Sequence, residues 1–178
     1  MKLMLGVVAV ASSLLVGCGG LQVKKPASPE QQAALLGNVK RMAGEWEMKD
    51  PNGTWVPACA FKVTSNGSVV REVMFAGAAH EMTNMYHMDG DSIVMTHYCS
   101  MGNQPRMRAT KAEKLADGSV AIPFEYDSVS NLAKQDDGYM GKMTLIIKDD
   151  KHAEERWQHM KEGKVEGGAT EFVLRRKS

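Results

Sequence analysis

The chain has 178 residues, with 22 Lys and Arg against 21 Asp and Glu, and 43% of its residues are hydrophobic but only 6% aromatic. That length suits one domain, large enough to bury about 70% of the surface its unfolded chain exposes. The formal charge of +1 argues against nucleic acid or an anionic membrane surface as the main partner.

Lys2 followed by the apolar run from Leu3 to Val16 reads as a secretory signal, because the run is too short to span a bilayer. It closes on Leu15-Val16-Gly17-Cys18, which resembles a bacterial lipobox. The resemblance implies cleavage before Cys18, lipid on its sulfur and new amino terminus, and a soluble domain tethered to a membrane in the cell envelope. Gly19, rather than Asp, after the cysteine implies the outer membrane, facing the periplasm, if the cell is Gram-negative. Loss of residues 1–17 removes Lys2 and no acid, so the mature charge falls to zero. Residues 18–28, with Gly19-Gly20 and Lys24-Lys25-Pro26-Ala27-Ser28, read as a flexible lipidated tether, and residues 29–178 as the folded domain.

That domain opens with a helix: Ser28 is placed to cap it, Pro29 to occupy its first turn and Gln31 to reach back. Leu35, Leu36, Val39 and Met42 form its apolar stripe, which Gly44 ends. From Gly44 onward the pattern turns to short alternating runs divided by turn signals, predicting strands near 44–49, 58–64, 69–75, 80–88, 92–98, 105–115, 119–126, 139–148, 152–160 and 169–176. In the run 120–126, for example, Val120, Ile122, Phe124 and Tyr126 alternate with Ala121, Pro123 and Glu125, as a half-buried strand requires. Ten such strands with one hydrophobic supply predict an all-β fold, an antiparallel up-and-down barrel, since closure removes exposed edges.

Successive strands of a meander alternate in direction, so the connections sort to two ends. Ser65-Asn66-Gly67-Ser68, Asp89-Gly90-Asp91, Ala116-Asp117-Gly118 and Lys148-Asp149-Asp150-Lys151 are tight turns at one end. The connections 50–57, 76–79, 99–104, 127–138 and 161–168 fall at the other, where ligands usually enter small barrels. Gly44-Glu45-Trp46 on the first strand and Arg175-Arg176 on the last resemble the calycin superfamily, which includes lipocalins and fatty-acid-binding proteins. The resemblance implies a calycin-like barrel in which Trp46 packs under Arg175 or Arg176 at the closed end by cation–π stacking.

His80-Glu81-Met82, Tyr86-His87-Met88-Asp89-Gly90-Asp91, Thr96-His97-Tyr98-Cys99 and Gly102-Asn103-Gln104-Pro105-Arg106-Met107 look like an uncharacterised bacterial lipoprotein family with a lipocalin-like barrel. That resemblance implies fold and brings no activity with it. On the meander, His80, His97, Asn103, Gln104 and Arg106 gather toward the looped mouth and are the candidate ligand-binding residues. Arg106 either pairs with a carboxylate or phosphate head group or bridges to a neighbouring acid. His87 falls at the far end, so His80, His87 and His97 do not form one metal site. Met82, Met85, Met88, Met95, Met101 and Met107 crowd the same segment and, with His97 and a cysteine, offer a soft ligand set suited to copper(I). Methionine is also an adaptable filler of an apolar cavity or core, no compact metal-ligand motif is present, and apolar small-molecule binding fits better.

His80, His97, Glu72, Glu81 and Tyr98 can supply acid–base groups, but no nucleophile elbow, phosphate loop, dinucleotide fingerprint or zinc-protease helix is present. The expectation is a binding barrel for a small, largely apolar molecule, without a cofactor, a catalytic residue or a committed metal site. The alternatives are a structural or partner-binding envelope lipoprotein with a filled core, or a copper-binding protein. For Cys59 and Cys99 two arguments conflict. An oxidising compartment favours a disulfide, whereas three inter-strand steps of about 14 Å in all oppose one.

Overall fold

The computed structural model describes residues 23–178; the signal segment 1–17 and Cys18 lie outside the described residues. Twelve strands follow a helix: β1 Gly44–Lys49, β2 Trp55–Thr64, β3 Val69–Met74, β4 Met82–Asp89, β5 Ser92–Tyr98, β6 Gln104–Ala109, β7 Glu113–Lys114, β8 Val120–Ser130, β9 Tyr139–Ile147, β10 His152–Lys161, β11 Lys164–Val165 and β12 Thr170–Arg176. All pairings are antiparallel. The two-residue β7 and β11 lie beside β8 and β10, and the other ten strands pair in chain order until β12 returns to β1 and closes the ring. The fold is therefore a closed ten-stranded barrel.

Strand boundaries moved where local chemistry competed with alternation. β2 begins at Trp55 rather than near 58, because Pro57, which has no N–H to give, sits opposite Glu47 at a bulge between Trp46 and Glu47. β4 begins at Met82, not at residue 80. The Glu81 N–H turns back to the Ala78 carbonyl, and its carboxylate accepts from the Gly77 N–H at 2.6 Å. The run expected over 105–115 breaks after Ala109, where the Thr110 carbonyl is taken by Gln31 of the helix.

The helix runs as an α-helix over Pro29–Gln32, widens to a π-helix over Ala33–Gly37 and finishes as an α-helix over Asn38–Arg41. Ser28 caps it, its hydroxyl accepting from the Gln31 N–H at 3.2 Å. Leu35, Leu36, Val39 and Met42 are all buried, and the wider turn lets the adjacent Leu35 and Leu36 both face inward. Gln31 donates to the carbonyls of Asp91 and Thr110, and Arg41 pairs with Asp150. These partners all belong to the tight-turn end, so the helix is the barrel's floor.

That floor is fastened by the first and last strands. Trp46 is 1% exposed, and its indole N–H donates to the Met42 carbonyl at 2.7 Å. The Arg176 guanidinium lies 4.4 Å from the Trp46 ring centre and donates to the carbonyls of Asp150, Ala43 and Arg41. Arg175 instead faces outward, over Trp55 at 4.0 Å and paired with Glu47. Gly44 is required beside them: its φ is +130°, and a Cβ there would meet Arg176 Nη1 at 2.6 Å. Above the floor, Tyr86, Met95, Met107, Phe124, Met143 and Leu145 fill the barrel with essentially no exposure.

Because Trp46 joins helix, floor and closing strand, Trp46→Ala is expected to lower stability by about 3–5 kcal/mol. Urea denaturation followed by far-ultraviolet circular dichroism measures this. An unchanged midpoint would show that Trp46 does not hold the floor.

Candidate functional site

Polar residues are spaced into the inward phase of five strands. On β3 the inward positions are Val70, Glu72 and Met74; on β10 they are Ala153, Glu155 and Trp157; all six are buried. Glu72 stands directly opposite Asn84 of β4, and Asn84 opposite His97 of β5. The three form a line across the wall at one level, every member under 3% exposed. Cys59 of β2 and Glu155 of β10 approach from the other side: one ligand atom from each of Cys59, Glu72 and Glu155 lies within 4.8 Å of the other two.

Hydrogen bonds fix the protonation of this ring. Glu72 Oε2 accepts from Asn84 Nδ2 at 2.7 Å and from the Tyr86 hydroxyl at 2.8 Å. With its amide turned to Glu72, Asn84 presents Oδ1 to His97 Nδ1 at 2.6 Å. His97 Nδ1 must therefore carry the hydrogen, and Nε2 is left as a bare acceptor with no protein partner. The imidazole packs on Trp157 at 4.9 Å between ring centres, and burial pushes its pKa down to about 4. Trp157 in turn donates to Glu155 Oε2 at 2.9 Å.

Glu155 Oε1 and Glu72 Oε1 have no other donor. Two ionised carboxylates this close in a dry interior repel strongly, so one keeps its proton. Burial, and then the charge of Glu72, pushes the Glu155 carboxyl well up. Burial also raises Glu72, although the donors around it work the other way. The proton therefore sits on Glu155 and is given to Glu72. The Cys59 thiol is pushed up by burial and by both carboxyls, and it too keeps its proton.

The residues expected to line the mouth do not converge. His97 alone enters the interior. His80 lies in the loop before β4, exposed, its ring 4.9 Å from that of Phe75. Asn103 is buried as a loop fastener, donating to the Gly138 carbonyl, while Gln104 donates to the Gly102 carbonyl and accepts from Ser130. Arg106 is turned away from the mouth, because Pro105, Met107 and Ala109 take the inward positions of β6. It pairs on the outer wall with Asp89 and Asp127, the latter at 2.9 Å.

The methionines are dispersed as well. Met95 and Met107 are fully buried in the core, and Met101 is 69% exposed. Cys59 and Cys99 are unbonded, Cys59 lying in the polar ring and Cys99 in the loop after β5. Of the groups weighed for acid–base chemistry, Glu72 and His97 belong to the ring. Glu155 and Asn84 were missed, although Glu155 falls in the inward phase of Ala153 and Trp157, a signal present in the alternation itself.

At the looped end, a cleft of about 560 Å³ is lined by Met48, Lys49, Trp55, Glu171, Phe172 and Val173. Its inner wall, Phe172, meets Phe75 edge-on at 5.7 Å. Phe75 holds φ at +55°, with its N–H donating to the Ala58 carbonyl at 2.7 Å. A bulky residue is rarely found in this left-handed region. The strain brings its ring against both Phe172 and His80.

No family model matches the sequence, and no curated protein matches it. Among solved structures the fold is similar to that in the crystal structure of Rv2717c from M. tuberculosis. The TM-score is 0.57 at 12% identity, over 85% of this chain and 99% of that one. A likeness at that identity speaks for the barrel architecture alone.

The protonation of the ring sets the pH response. Buried neutral His97 costs stability as pH falls from 6.5 toward 4, where only the unfolded state gains its proton. Protonated Glu155 costs stability as pH rises above 4.5, where only the unfolded state loses its proton. Between pH 4.5 and 6.5 the two slopes, each at most about 1.4 kcal/mol per pH unit, oppose one another. Glu155→Gln is thus expected to shift the slope across this window toward stability rising with pH, and His97→Gln to shift it toward stability falling, with the burial-raised Glu72 adding to the fall in both. Denaturant midpoints taken at half-unit steps test this, and an unaltered slope in Glu155→Gln would refute the proton placement. Thiol counting gives a second check. Without reductant, Cys59 and Cys99 are both expected to react in denaturant, and Cys99 alone in the native fold; their absence from the denatured count would restore the disulfide.

Proposed function

We propose that this chain is a membrane-tethered envelope lipoprotein whose barrel binds a small, largely apolar molecule at its looped end. The observation that carries the binding reading is the cleft walled by Met48, Trp55, Phe172 and Val173, with Lys49 and Glu171 at its lip. Apolar walls with a few charges at the edge suit a ligand with an apolar body and a polar tip. The barrel axis is filled by Tyr86, Phe124, Met95 and Met107, so the ligand sits at the rim, where the outward Trp55 and Val173 meet the inward Phe172, rather than running down the axis. The tether reading rests on the lipobox-like Leu15-Val16-Gly17-Cys18, which implies the cell envelope; with Gly19 after the cysteine it implies the periplasmic face of the outer membrane if the cell is Gram-negative.

A second reading, a structural or partner-binding lipoprotein, draws support from the same filled core. Native mass spectrometry of protein purified in detergent from its own host separates the two. A lipid-modified Cys18 and a retained small molecule, lost at least tenfold in Phe172→Ala, are expected. An unmodified residue 18 would sink the tether. A lipidated chain with no retained molecule would favour the structural reading.

A further inference from the structure

The polar ring contributes no residue to the lining of the mouth cleft and has no part in the binding reading. Its members are costly to bury, and a shared proton between Glu72 and Glu155 still leaves an excess of one kind of group. Within the ring, the atoms without another partner are Glu72 Oε1, Glu155 Oε1 and His97 Nε2, and once Glu155 gives up its proton all three are acceptors. Hydrogen-bonding capacity left over in this form calls for a cation or a donor, not for an anion. Glu72, Glu155 and His97 are each at least 98% buried, and the Glu72 and Glu155 carboxyls converge with Cys59 Sγ to within 4.8 Å.

A surface cleft borders the ring at Cys59. The β1–β2 bulge leaves Ala58 without an opposite residue, and a cleft of about 200 Å³, with Pro57, Ala58 and Cys59 in its lining, opens in the wall there. Cys59, 8% exposed, is the ring member that borders it.

We propose that Cys59, Glu72 and Glu155 form a binding site for one borderline divalent cation, of the zinc or cobalt(II) class, entered through the bulge in the β1–β2 wall. One thiolate and two carboxylates match the mixed sulfur and oxygen preference of these ions and disfavour magnesium and calcium, which take oxygen alone. Three protein ligands leave a fourth tetrahedral position for water. The charges balance: the thiol of Cys59 and the acid of Glu155 each release a proton to solvent as one divalent ion enters. The site therefore carries one negative charge before and after. His97, held through Asn84 against Glu72, is a positioning residue, since Asn84 orients the Glu72 carboxylate.

The test is titration of the reduced, detergent-purified full chain with cobalt(II), followed by displacement with zinc against a chromophoric chelator. The expected result is one cobalt per chain with a near-ultraviolet thiolate-to-cobalt charge-transfer band that zinc abolishes. Cys59→Ser is expected to remove the band, Glu155→Gln to weaken binding at least tenfold, and Cys99→Ser to change nothing. Circular dichroism of each variant separates lost binding from lost fold, and the unsubstituted protein is decisive by itself. Absence of the band there overturns the proposal, as does a band that survives Cys59→Ser and disappears in Cys99→Ser. Retention of an organic molecule by protein that binds no metal would leave the mouth reading intact and defeat this one.

Discussion

Closure of the ring through β1 and β12 is the contact on which the rest of the molecule depends. An open ten-stranded sheet would expose two edges and one apolar face. Here the edges meet at Trp46, Glu47 and Met48 against Arg176, Arg175 and Leu174, and the join is locked from outside the ladder. Arg176 bonds three carbonyls, two at the helix end and one in the β9–β10 turn, while covering the Trp46 ring. One side chain thereby ties the helix end, the β9–β10 turn and the last strand together. A lysine would keep the charge but lose the fork that reaches all three.

A barrel closed in this way has an interior that must be filled or furnished, and this one does both at different heights. Near the floor, aromatic and aliphatic side chains pack without exposure. At mid-height, Glu72, Asn84, His97 and Glu155 replace what would otherwise be apolar positions. Such a ring is poor as a source of stability, since a well-packed apolar set of the same volume commonly does as well or better. Its protons are distributed so that a single negative charge, on Glu72, is surrounded by donors from Asn84 and Tyr86 and by the acid of Glu155. That arrangement fixes one geometry for five strands, because shifting any strand by one residue would turn its polar group outward.

The barrel was legible in the sequence because alternation and turn chemistry are local. Ser28-Pro29, Asp89-Gly90 and Asp117-Gly118 each act within a few residues, and the helix and most strands fall where they indicate. The site was less legible, since it is made across the ring. Glu72 meets Glu155 only after the sheet has closed, from positions more than eighty residues apart in the chain. Arg106 was misplaced for the opposite reason. Connection lengths place a residue at an end of the barrel, but the pleat decides which face it takes, and Pro105 and Met107 occupy the inward phase. His80 shows a third limit: the Glu81 carboxylate shapes a loop where alternation alone continues a strand.

The segment before the helix has its own consequence. Lys24 pairs with Asp89 at 2.6 Å, and the Ala27 N–H donates to the Gly90 carbonyl at 3.1 Å, so the chain approaches the barrel from beneath its floor. Between residues 18 and 24 a fully extended chain reaches about 20 Å. If Cys18 carries the lipid, the floor hangs close over the bilayer and the looped rim points away from it. A molecule held in the proposed cleft would then be exchanged with the aqueous compartment, and the membrane would serve as a mooring rather than as the source.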